Sequence, residues 1–148
     1  MARKKQYVKK LFESDCTSAD TFAGIYNSML LSEAWLSLTV SQQVLYLVCK
    51  AQYYAQKRKP EGAESFFMNK FLWCEKYALY TANNNRGFYR DMSALIEKGF
   101  VRCVNNGATT REKNVYKFSS MWQHYGTNNF VVGNSDRSIA AIHRSLKA

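Results

Sequence analysis

Apolar positions along this chain change spacing as it proceeds: a mixed register near the start, helical periodicity through the middle, and strand-like alternation after residue 99. Ser41 is a residue type that caps first-turn amides, and Val44, Leu45, Val48 and Ala51 then form the stripe of a helix running to about residue 58. Pro60 and Gly62 close it. An apolar run at 66–68 is short enough to be a strand, and Asn69 is placed to cap a second helix through Tyr77, with Leu72 and Trp73 facing inward. The firmest periodicity follows. Asn83, Asn84 or Asn85 can cap a third helix to Lys98, in which Phe88, Met92, Leu95 and Ile96 fall at i, i+4, i+7 and i+8 and so share one face. Gly99 supplies the left-handed stop.

Two alternating runs come next, 100–104 and 114–118, with Val115 and Lys117 opposite to Tyr116 and Phe118. The polar stretch 105–113 between them predicts a hairpin. Outside this block the pattern is weaker. Phe22, Ile25, Tyr26, Met29 and Leu30 fit a helix, while Gly24 and the Ile25-Tyr26 pair fit an extended segment, so both remain open; 32–37 reads as a short helical turn. After Trp122 and Tyr125, a connection leads to a helix from Ser135 to about Lys147, with Ile139, Ile142 and Leu146 on one side. The expected organisation is a basic flexible arm (1–20), one domain at 21–125 with its core at about 32–122, and a connection with a short amphipathic helix (126–148) that docks on the domain or on a second copy.

Helix, short strand, helix, turn, helix and hairpin is the element order of a winged helix-turn-helix. The expected fold is therefore α+β and mainly helical, with a three-helix core, a two-stranded wing and room for a third short strand.

Charge then directs attention to particular residues. Twenty-one Lys and Arg against 11 Asp and Glu give a net charge of +10, which favours an anionic partner. The outer face of the third helix carries Arg86, Tyr89, Arg90 and Ser93, with the three asparagines at its start; Arg reads guanine and Asn reads adenine from the first turn of a groove-entering helix. Capping by the asparagines and solvation by the arginines is the competing structural account. In the hairpin Arg102, Arg111, Lys113 and Lys117 are opposed only by Glu112, a bias suited to backbone phosphates. The candidate DNA-binding set is thus Asn83, Asn84, Asn85, Arg86, Tyr89, Arg90, Arg102, Arg111, Lys113 and Lys117. Lys57-Arg58-Lys59 and Arg3, Lys4, Lys5, Lys9 and Lys10 of the arm could extend the surface.

Other chemistry finds less support. No apolar stretch is long enough to span a membrane, and no apolar run follows the basic start as export would require, so the expected location is cytoplasmic. Cys16, Cys49, Cys74 and Cys103 are widely separated and read as free thiols rather than a zinc or disulfide framework. His124 and His143, 19 positions apart, cannot make the His pair of a relaxase or rolling-circle initiator. There is no P-loop, no Gly-x-Gly-x-x-Gly and no Gly-x-Ser-x-Gly. Asp91 and Glu97 read as ion-pairing groups and His124, beside Trp122, as a packing residue. No catalytic residue, metal or cofactor is assigned, and the chain is expected not to be an enzyme.

The stretch 32–39, the helix holding Val44, Leu45 and Tyr46, and the run Asp91 to Val101 with its Leu95-Ile-Glu-Lys-Gly-Phe-Val101 close resemble the winged-helix proteins of bacterial plasmids, phages and integrative elements. The resemblance covers about residues 30–122. It implies duplex DNA binding at a replication or transfer origin or in control of the element's genes, with helix 83–98 in the major groove and the wing on backbone or minor groove. Double-stranded DNA, a second copy of the chain and a relaxase or replication protein are the partners expected. The rival readings are a winged-helix interaction module whose basic face meets an acidic protein, and a non-specific nucleic-acid binder.

Overall fold

Thr39 starts the longest helix, because its hydroxyl accepts from the Gln42 amide at 3.4 Å while the Gln42 side chain accepts from the Thr39 amide at 3.0 Å. This reciprocal pair satisfies two first-turn donors and places Ser41, the expected cap, inside the helix. The computed structural model describes residues 8, 10, 12, 21–105 and 114–145. Among them the α-helices are α1 (Asn27–Leu30), α2 (Glu33–Leu36), α3 (Val40–Ala55), α4 (Asn85–Glu97) and α5 (Asn134–Ser145). The fold is α+β. Strands β1 (Ser65–Phe67), β2 (Val101–Asn105) and β3 (Val115–Phe118) form one antiparallel sheet in the order β1-β3-β2, so the hairpin gains a third strand.

Segment 22–31, open from sequence, has no regular structure up to Tyr26, itself extended, and then turns through α1; α2 is the turn expected at 32–37, with Ser32 as its cap. α3 ends where Gln56 becomes extended, before Pro60 and Gly62. Its buried side is Leu45, Tyr46, Cys49 and Gln52; of the expected stripe Leu45 is buried, Val48 packs partly against the core, Ala51 is half-buried and Val44 lies on the exposed side. The second helix is a π-helical turn, Phe71–Lys76, with Asn69 accepting from the Leu72 amide at 3.1 Å and with Leu72 and Trp73 buried as expected. Trp73 lies flat against Phe88, 5.0 Å between centroids and 14° between planes.

α4 buries Phe88, Met92, Leu95 and Ile96 together. Gly99 ends it at φ +82°, and a Cβ there would lie 2.7 Å from the backbone nitrogen of Trp122, so both the conformation and the close passage of the 3-10 turn Met121–His124 demand glycine. The core face of the sheet presents Phe66 opposite Tyr116, with Phe66 stacked on Phe118 at 4.6 Å. Trp122 stacks on Phe100, whereas His124, expected to pack, is exposed. Cys49, Cys74 and Cys103 are free thiols, and burial pushes Cys103 up to about 12. Cys16 lies outside the described residues.

α5 departs furthest from expectation. It lies mainly against α4 and also touches β2, and it turns Asp136, Ala140 and His143 inward while Ile142 stays exposed. The helix docks on the domain, one of the two placements expected, but not through the stripe Ile139, Ile142 and Leu146: Ile139 is half-buried, Ile142 is exposed, and Leu146 lies outside the described residues. No helix among the described residues is long and apolar enough to cross a membrane.

Candidate nucleic-acid interface

The start of α4 is built by Asn84, whose Oδ1 accepts from the Gly87 amide at 3.1 Å. A Cβ at 87 would sit 2.5 Å from that same oxygen, so a larger residue there would displace the Asn84 side chain from its cap. Of the three asparagines, Asn83 and Asn84 are exposed, and Asn84 spends its oxygen on the cap. Asn85 turns inward, with Oδ1 buried and without a hydrogen-bond partner among the described residues. That withdraws Asn85 from the outward set.

Arg86 is exposed and makes no ion pair among the described residues. Arg90 is exposed too, and its Nε donates to Asp91 Oδ1 at 3.3 Å. Asp91 is fully buried and also accepts a 2.6 Å hydrogen bond from the Tyr80 hydroxyl; burial and this carboxylate push the Tyr80 phenol up. No acidic residue occupies the first turn of α4, so the positive end of the helix dipole and two arginines reinforce one another.

The rest of the expected outward face is covered. Ser93 is fully buried, its hydroxyl donating to the Ala140 carbonyl at 3.0 Å and accepting from Arg144. Tyr89 is half-buried, edge-on to His143 at 5.1 Å, and burial raises its phenol. Glu97 pairs with Arg144. Asp136 and His143 are seven positions apart and so share a helical face, marked in polar residues that the apolar spacing on the neighbouring face outweighs.

On the sheet, Arg102 and Lys117 are direct cross-strand partners, a like-charge juxtaposition that costs stability unless an anion lies nearby. Asp136 supplies one, its Oδ2 accepting from Arg102 Nε at 3.0 Å. Arg111 and Lys113 of the hairpin tip, and Arg3, Lys4, Lys5 and Lys9 of the arm, lie outside the described residues. Lys57 and Arg58 are exposed, but Lys59 folds back, donating to the Tyr53 and Gln56 carbonyls over the Tyr53 ring.

The described residues hold no group of three or more His, Cys, Asp or Glu able to bind a metal ion. In comparisons with known proteins, no family model, no curated protein and no solved structure matches the chain. Its residues and geometry therefore carry the functional argument alone.

Proposed function

We propose that this chain is a winged helix-turn-helix protein that binds duplex DNA sequence-specifically, entering the major groove with the first turns of α4 and laying the β2–β3 hairpin along the phosphate backbone. The observation that carries the reading is the pairing of two cationic features: Arg86 and Arg90 at the start of α4, and the cross-strand Arg102 and Lys117 on the sheet. Helix and sheet stability account for only part of either feature: Arg90 and Arg102 are offset by Asp91 and Asp136, but Arg86 opposes the dipole at the helix start with no ion pair among the described residues, and Lys117 faces Arg102 across the strands. Phosphate and guanine edges reward both.

Recognition helices reach base edges chiefly with their N-terminal residues, so the cover that α5 places on Ser93 and Tyr89 is compatible with an end-on entry led by Asn83, Arg86 and Arg90. The biological setting we infer is a bacterial mobile element, with the protein acting at a replication or transfer origin or as a regulator of the element's genes. That setting rests on the sequence resemblance.

Selection from a randomised duplex pool at near-physiological salt tests the reading. The chain should enrich a motif. Arg86→Ala and Arg90→Ala should each lose about 1 to 3 kcal/mol on that motif and relax its base preference, whereas Lys117→Ala should weaken all sequences alike and reduce the salt slope by about 1. Retention without a motif, or a uniform loss from all three variants, would overturn sequence reading by α4. Failure to retain any duplex would overturn DNA binding itself.

A further inference from the structure

α3 is apolar on two opposite sides. Leu45, Tyr46 and Cys49 face the core, while Val40, Val44, Leu47, Ala51 and Tyr54 line the reverse side. Val40 is 75% exposed, Val44 36%, Leu47 40% and Tyr54 46%. A helix that is apolar on all sides is ordinarily covered on all sides. The turns just before α3 add exposed Leu31 and Leu36.

The spacing of the outer stripe, 40, 44, 47, 51 and 54, alternates steps of four and three residues over the whole helix. That is the repeat by which helices of equal period seat knobs into holes. Charge narrows the occupant further. The only charged residue of α3 is Lys50, which lies beside the stripe and donates to the Gly24 carbonyl at 2.6 Å. An acidic protein would be recognised by cations on the stripe, and an anionic lipid surface by a row of Lys and Arg along its borders; the stripe carries no cation and α3 borders it with Lys50 alone, whose ammonium is spent on the Gly24 carbonyl. A copy of this chain fits better: with +10 on each molecule, an uncharged face is where two copies meet at least electrostatic cost.

We propose that the outer face of α3 is the contact surface between two copies of this chain, paired helix to helix along Val40, Val44, Leu47, Ala51 and Tyr54. α4 packs on the core side of α3, so this pairing leaves Arg86 and Arg90 of both copies uncovered. A helix of 16 residues is about 24 Å long and supplies only part of the roughly 800 Å² per partner found in stable complexes, so the association is weak enough to depend on concentration.

Sedimentation velocity of the full chain, from about 1 to several hundred micromolar, tests this directly. The expected result is a monomer–dimer equilibrium that Val40→Glu/Leu47→Glu shifts to monomer by at least tenfold in dissociation constant, with circular dichroism and melting unchanged. If the double variant does not fold, Val40→Glu alone serves, because its side chain lies mostly in solvent and an acid is favoured at a helix start. Ile142→Glu, the same charge change on exposed apolar surface of α5, should leave the dimer intact. A chain that stays monomeric throughout, or a dimer lost with Ile142→Glu and kept with the α3 variants, overturns the proposal. A dimer that binds no duplex leaves it standing and overturns only the DNA reading.

Discussion

His143 is the residue whose chemistry depends most on its surroundings. It is buried between Tyr89 and Tyr116, its Nε2 is 2.9 Å from the Tyr116 hydroxyl, and burial pushes it from its ordinary 6.5 down to about 4, partly opposed by the Ile139 carbonyl. Because the folded value is depressed, the unfolded chain takes up a proton first as pH falls. This contribution is therefore whole above about pH 6.5, declines down to about pH 4 and amounts to at most ~3 kcal/mol. Urea unfolding at a series of pH values should show that decline, and His143→Gln should flatten it; an unchanged profile in the variant would place the effect elsewhere. The buried Asp91 is held differently, by the Tyr80 hydroxyl and Arg90 Nε. Arg90 thus serves the fold as well as the proposed surface, and Arg86 is the cleaner probe of DNA reading.

Among the elements, α4 is the most legible in the sequence: its apolar quartet and Gly99 both behave as the spacing predicts. What spacing does not convey is the coupling between Asn84 and Gly87. Alanine favours a helix over glycine by about 1 kcal/mol, yet here its Cβ would displace the capping Asn84 side chain, which is worth a similar amount. Gly87→Ala should accordingly change stability little. Asn84→Ala should cost about 1 kcal/mol in the natural chain and almost nothing beside Gly87→Ala, which a double-mutant cycle by thermal unfolding reads directly. The start of α3 differs from the expected one for a related reason, because Thr39 and Ser41 are both good caps and only the return bond from Gln42 distinguishes them. Of the ten candidate site residues, Arg86 and Arg90 are outward as the helical wheel implies, whereas Asn85 and Tyr89 turn partly inward.

The molecule as a whole is closed by its C-terminal helix. α5 covers Ser93 and Tyr89 of α4 and places Asp136 against Arg102, so a chain ending at Gly133 would expose Tyr116, Ser93 and an uncompensated Arg102–Lys117 pair. Such a truncation should lower Tm by roughly 10 °C, the equivalent of about 3 kcal/mol in a chain of this length. A melt unchanged by the truncation would mean that α5 contributes no stability. The same geometry sets the breadth of the proposed DNA-reading edge, the first turns of α4 rather than its full length.

Local pattern by itself determined the order of helices and strands around α4 and the hairpin, the glycine at 99 and the net positive charge, because caps, periodicity and turn residues act over a few neighbours. Tertiary structure decided which polar residues are inside. Asp91, Ser93, Asp136 and His143 are buried against Tyr80, Ala140, Arg102 and Tyr116, distant in sequence, each of which supplies a hydrogen-bond partner, and such partners leave no periodic mark in the chain; His143 Nδ1 alone of these finds none among the described residues. It also decided that α3 buries one apolar side and exposes the other, since helical spacing marks a face without saying what will meet it.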